Sequence, residues 1–277
     1  MECFPQCLCP HTSWPNQLRM MRMTMAPPMS NMLQVMLLLP ALMVCQIIQR
    51  FWSHPLTISI PVHNVLRDLE TLADHYDQPD LPRLTQQFVF EQLHPDANPY
   101  NSDLHPTILS KIPIFNSATA TFYAPSDDSS IHGIHLECPC STPSWWGRGP
   151  RHDTAIVVED QSKPGMQGLH VVRIKLLFSF NFEGVYYPCT LVEWFWVKGS
   201  CPDVDTGLWW VEHEMTHGDC NMSVLHLDTF LHRAHLLPIF DGHRPLPHKF
   251  HWSYTLDVFH TYFVNKYIDH ASHEMVF

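Results

Sequence analysis

The chain has 277 residues, 45% of them apolar and 12% aromatic, which is enough for a packed core and too apolar for a disordered polymer. It carries 16 Lys and Arg against 27 Asp and Glu, a formal net charge of -11. That balance excludes a general basic footprint for nucleic acid and leaves any DNA contact to a local patch.

Residues 1–31 are rich in Met, Pro and Cys without a period, and residues 1–50 are expected to be a poorly ordered N-terminal segment. Within it, 32–48, "MLQVMLLLPALMVCQII", is an apolar run with Arg19 and Arg22 before it and Arg50 after it. It falls slightly short of the roughly 20 residues of a membrane span and contains Gln34, Pro40 and Gln46. A membrane-anchored protein using 32–48 is one alternative; a buried helix is another. The nine cysteines are odd in number and unevenly spaced, which implies reduced thiols in an intracellular protein, nuclear or cytoplasmic.

Residues 51–105 are expected to be a helical segment. From His63 the apolar Val65, Leu66, Leu69, Leu72 and Ala73 recur at helical spacing behind Asn64 as a cap, and Pro79 and Pro82 divide the stretch into two helices, the second over 82–93. The texture then changes. "IPIFNSATATFYAP", "HDTAIVVED", "HVVRIKLLFSFNF", "VYYPCTLVEWFWV", "GLWWVEHEM" and "SVLHLDTFLHRAHLLPIF" are short, β-branched and aromatic, and divided by Gly, Pro, Asp and Ser. Glu183-Gly184 predicts a hairpin turn. Five or six strands without intervening helices predict a small β-barrel-like domain over 106–277. Ser253–Ile268 places Leu256, Phe259, Tyr262, Phe263 and Tyr267 on one helical face and predicts a C-terminal helix. The fold class is therefore α+β: N-terminal helices, a five- to six-stranded barrel-like domain, and a C-terminal helix.

His213-Glu214-Met215-Thr216-His217 matches the H-E-x-x-H pattern of zinc peptidases, in which two histidines one helical turn apart hold the metal and the Glu activates water. A zinc-dependent hydrolase through His213, Glu214 and His217 is thus an alternative function. The surroundings argue against it: "GLWWVE" reads as strand, Gly218-Asp219 as turn, and Cys220 and Ser223 stand where the extended motif has Gly and His. With 21 histidines, such coincidences come easily. There is no G-x-S-x-G and no Gly-rich phosphate loop, so no catalytic residue, metal ligand or cofactor is assigned. Arg148, Arg151, Lys163, Arg173 and Lys175 form the densest basic region, interleaved with Asp153, Glu159 and Asp160, which reads as a mixed solvated face.

Trp145-Trp146 lie in a loop bounded by Pro and Gly, where strand burial does not explain them, and loop aromatics serve recognition, including cages for methylated lysine. Covering one end of the barrel is the other role open to them. Trp194, Phe195 and Trp196 are contiguous, so at least one must face outward. Tyr123, Trp145, Trp146 and Trp194 are the expected aromatic binding surface.

"SATATFYAPSD" (117–127), "STPSWWGRGPRHDTAIVV" (141–158), "PGMQGLHVVRIKLLFSFNFEGVYYPCTLVEWF" (164–195), "DTGLWW" (205–210), "LHLDTFLHRAHLLPIF" (225–240) and "YTLDVFHTYFVNKYIDHASHE" (254–274) resemble the C-terminal module of Plavaka-type, CACTA-like transposon proteins of mushroom-forming fungi. The resemblance runs from about residue 63 to the end. In that family an RNase H-like transposase core lies upstream, and nothing here matches it, so the resemblance implies a non-catalytic accessory module. Its implied partners are chromatin, transposon DNA or a full-length transposase. Residues 1–50 match nothing in the family, as expected of a truncated or decayed copy. The strand order is also similar to that of the bromo-adjacent homology domain, a likeness of pattern that carries no function by itself.

Overall fold

The computed structural model describes residues 54–58, 68–98, 104–123, 134–160, 162–240 and 248–276. The segment 1–50 with its apolar run 32–48, and the expected cap Asn64, lie outside the described residues. Among the described residues no helix is long and apolar enough to cross a membrane.

The expected helical segment 51–105 contains a strand. β1 (His54–Ile58) pairs antiparallel with β3 (Ala118–Tyr123), which pairs with β4 (Ile134–Glu137), so a tertiary partner decides the state of "HPLTI". The helices follow. α1 (Leu69–Tyr76) starts behind Asp68, whose carboxylate accepts the Thr71 N–H at 2.7 Å, and ends at Asp77 in the left-handed region. α2 (Leu81–Leu93) has Pro82 in its first turn, where the missing N–H costs nothing. Leu72, Leu81, Phe88 and Val89 bury against one end of the sheet.

That sheet is antiparallel, nearly closed and barrel-like, built of β2 (Ile114–Phe115), β7 (Thr154–Val158), β8 (Leu169–Phe182), β9 (Val185–Lys198), β10 (Trp209–His213), β13 (Met222–His226), β14 (Phe230–Ala234), β15 (Leu236–Pro238) and β16 (Thr261–Val264). Its nine strands exceed the five or six expected, because "SVLHLDTFLHRAHLLPIF" divides into three strands and 261–264 adds another. The hairpin Glu183-Gly184 joins β8 to β9 with φ of 50° and 82°, the twisted two-residue turn that suits paired strands.

β8 and β9 hold the molecule together because both of their faces are buried. A register shift between Ile174 and Leu176 leaves Lys175 as the extra residue of a bulge and exchanges the two faces. Val172 and Ile174 before it and Leu177 after it share one core with Trp194, Phe115 and Phe230. On the opposite face, Leu176, Phe178 and Phe180 meet the helices, while Val171 joins Phe195, Val211 and Tyr262 in a third core.

The C-terminal region combines helix and strand. Helix forms at α3 (Thr255–Val258) and at α4 (His270–Val276), but not across the expected 253–268. Thr261–Val264 is instead strand β16, laid between β10 and β15 with Tyr262 opposite Val211 and Val264 opposite Trp209. The apolar pattern there fits periods of both 3.6 and 2. Pairing to β10, which buries Tyr262 and Val264 completely, selects the strand.

Candidate functional site

Two short strands, β5 (Ser141–Thr142) and β6 (Arg151–His152), pair as the base of the loop that carries Trp145 and Trp146. Within the loop Trp145 N–H donates to Gly149 O at 2.7 Å and Arg148 N–H to Trp145 O at 3.0 Å. This turn puts Trp146 at φ 54°, a conformation that costs a side-chain-bearing residue roughly 1–2 kcal/mol. Trp146 is 81% exposed there, while Trp145 is half-buried beneath the Arg151 guanidinium, 4.3 Å from its ring centre.

A second segment stands beside it. A β-carbon on Gly149 would lie 3.2 Å from Ser253 Oγ and 3.5 Å from the His251 ring, so the loop rests against 251–254. Trp252 and Tyr254, 48% and 50% exposed, extend from that segment, both against the His251 ring. The result is an aromatic rim of Trp145, Trp146, Trp252 and Tyr254, with Arg148 exposed on the same loop as the first two. Tyr254 escaped the sequence reading because the helix expected over 253–268 hid it, Trp252 stands just before that helix, and only the fold brings both next to residue 149.

The other expected binding residues lie elsewhere. Trp194 is 3% exposed and belongs to the core, with its indole N–H donating to Ser223 Oγ at 2.7 Å. β9 alternates across a sheet covered on both sides, so Trp194 and Phe195 are both buried and the outward-facing member of the trio is Trp196. Tyr123 ends β3, and its side chain lies outside the described residues.

The H-E-x-x-H stretch is strand and turn, as its context predicted. His213 closes β10, Glu214 sits between strands, Met215–Thr216 is β11, His217 occupies an exposed turn at φ 56°, and Asp219–Cys220 is β12. His213 Nε2 donates to Leu256 O at 2.8 Å, and burial holds its imidazole below the ordinary value despite that bond. No helical turn stacks His217 onto His213. The five described cysteines, Cys138, Cys140, Cys189, Cys201 and Cys220, are free thiols.

The basic region dissolves into ion pairs. Arg151 binds Asp153 at 2.7 Å, Lys163 lies 3.3 Å from Asp160, and Lys175 lies 2.8 Å from Glu193. Arg173, buried on β8, reaches Asp257 at 2.5 Å and its cross-strand neighbour Glu193 at 3.4 Å. Beside them, burial and then the Arg173 and Lys175 charges push His152 down to about 4, so it is neutral at physiological pH. Ser141 donates its hydroxyl hydrogen to Lys175 O at 2.8 Å, and His152 Nδ1 lies 3.1 Å from Ile174 O, a pairing that needs the proton on Nδ1. This Ser–His pair therefore offers the hydroxyl no base.

Glu137, His232 and Asp269 form a group with ligand atoms within 4.8 Å of one another among the described residues. His232 Nδ1 lies 2.9 Å from Glu137 and Nε2 3.1 Å from Asp269. Burial disfavours the imidazolium, yet the two carboxylates overcome it and push His232 up to about 9. The two carboxylates face opposite nitrogens of the ring, so these residues form an ion-pair clamp between β4, β14 and the start of α4.

No family model, curated protein or solved structure matches the chain.

Proposed function

We propose that this chain is a non-catalytic binding module whose contact surface is the aromatic rim of Trp145, Trp146, Trp252 and Tyr254. The exposure of Trp146 carries this reading: a large apolar ring is held out into solvent on a turn whose backbone costs free energy. The preferred partner is a protein of chromatin or of the transposition machinery rather than naked duplex DNA. Net charge of -11 repels phosphate, and four of the five residues of the densest basic region are already paired with carboxylates. Aromatic rings suit apolar side chains and alkylated ammonium groups alike. The resemblance to the C-terminal module of Plavaka-type transposon proteins supports an origin in a transposable element and a nuclear place of action.

The test is binding of the full chain to reconstituted nucleosomes, to histone-tail peptides and to transposon-end DNA, compared with Trp146→Ala and Trp252→Ala. Nucleosome or peptide binding that falls at least tenfold in both variants, with unchanged circular dichroism, supports the rim. Unchanged binding in both variants sinks it.

A further inference from the structure

The hairpin that completes the H-E-x-x-H stretch gathers three side chains, His213, Met215 and Cys220, that the aromatic rim does not use. His213 ends β10 and Met215 opens β11 two positions later. Met215 and Cys220 stand directly opposite in the β11–β12 pair. The two-residue turn between these strands, His217-Gly218, has φ of 56° and 99°, the left-handed pair of a tight hairpin turn, and this sets that register.

The consequence is a close grouping of donor atoms. Cys220 Sγ lies 3.7 Å from Met215 Sδ and 4.0 Å from His213 Nδ1. The imidazole cannot turn freely: Nε2 donates to Leu256 O at 2.8 Å, and the ring centre sits 4.5 Å from Phe195 and 5.8 Å from Tyr262. With the proton on Nε2, the lone pair of Nδ1 faces the thiol.

A thiolate, a thioether and an imidazole make a soft donor set with no carboxylate, the combination that selects copper(I) over hard divalent ions. The spacing agrees with the chemistry. Bonds of about 2.3 Å to sulfur and about 2.0 Å to nitrogen, set about 120° apart, place the two sulfurs about 4.0 Å apart and each sulfur about 3.7 Å from the nitrogen, each within about 0.3 Å of the two separations found here. Leu256 O supplies the outer hydrogen bond that fixes a metal-bound histidine. Met215 is exposed and Cys220 half-buried, so an ion can enter from solvent.

We infer that His213 Nδ1, Met215 Sδ and Cys220 Sγ form a trigonal binding site for one copper(I) ion. On binding, the Cys220 S–H bond breaks, its proton passes to water and a Cu–S bond forms; the copper enters and remains as Cu(I), and no electron is transferred. The site is independent of the aromatic rim, and its test reads metal rather than partner binding.

The experiment is anaerobic titration of the full-length protein with copper(I) in competition with bathocuproine disulfonate, on the wild type, Cys220→Ser and Met215→Leu. The other eight cysteines are common to all three and set a shared background. The expected result is one equivalent of copper more in the wild type than in Cys220→Ser. Met215→Leu, which keeps every thiol, should weaken that equivalent about tenfold or more. X-ray absorption of the wild type should show two sulfurs and one nitrogen at the metal. Equal copper uptake by wild type and Cys220→Ser, or an unchanged affinity in Met215→Leu, overturns the site. So does a site that takes zinc in preference to copper(I). Circular dichroism should be the same for all three proteins, because both substitutions change side chains on the rim of a hairpin.

Discussion

Raising the pH from 6 to 10 should discharge the buried clamp that ties β4, β14 and α4 together. His232 is fully buried between Glu137 at 2.9 Å and Asp269 at 3.1 Å, and Asp269 also accepts the Ser272 N–H at 2.7 Å in the first turn of α4. Burial alone would lower the imidazole, but the hydrogen bonds and charges of Asp269 and Glu137 raise it to about 9, above its ordinary 6.5. A group whose folded value lies above its unfolded one stabilises fully below the unfolded value and loses that stabilisation as pH rises through the folded one. The rise from 6.5 to about 9 corresponds to about 3 kcal/mol, present at pH 6 and lost between about 6.5 and 9. Asp269, which burial opposes and the His232 bond draws down to about 2, reports the same interaction from its other end, so the two are not added. Urea unfolding of wild type and His232→Gln at pH 6, 7.5, 9 and 10 measures the difference. The wild type should be more stable than the variant by about 3 kcal/mol at pH 6, because the variant leaves buried Glu137 with only Arg233 at 3.5 Å as a cation, and the gap should narrow as pH rises through 9. A gap that stays constant over this range, or closes near pH 6.5, would refute the clamp.

Trp146→Gly should raise stability by about 1 kcal/mol, since glycine accepts φ 54° without strain and an exposed ring takes no core packing with it; a melting temperature lower than wild type would count against the backbone geometry. Gly168→Ala should destabilise by about 2–3 kcal/mol, because a β-carbon there would meet Asp160 O at 2.2 Å and Lys163 O at 2.8 Å, both backbone atoms. A stable, soluble Gly168→Ala protein with an unchanged denaturation midpoint contradicts that packing. Arg173→Met should cost about 3–5 kcal/mol in urea unfolding, as Glu193 and Asp257 lose their buried guanidinium; a neutral result would mean that Lys175 suffices for Glu193.

Much of this architecture is legible in the chain itself, for local reasons. The Glu183-Gly184 turn, the long β-branched and aromatic runs that become β8 and β9, and the second helix starting at Pro82 each depend on residues within a few positions of one another. The strand state of His213 is readable in the same way, from the aromatic approach and the glycine turn that follow strand rules rather than helix rules. Trp146 is also legible as a loop residue, because its Pro and Gly neighbours bound the segment.

Tertiary structure decided the remainder. Tyr262 reads equally well on a helix or a strand, and only the free edge of β10 makes it a strand residue. Trp194 carries the same local signal as Trp196, yet one is core and the other faces solvent, because burial depends on what covers each face of β9. The clamp joins positions 137, 232 and 269, and the rim joins 146 with 252 and 254. Charges and donors separated by that much chain meet only once the sheet has closed, since hydrogen bonds and ion pairs act over a few ångströms and local sequence sets no such distance.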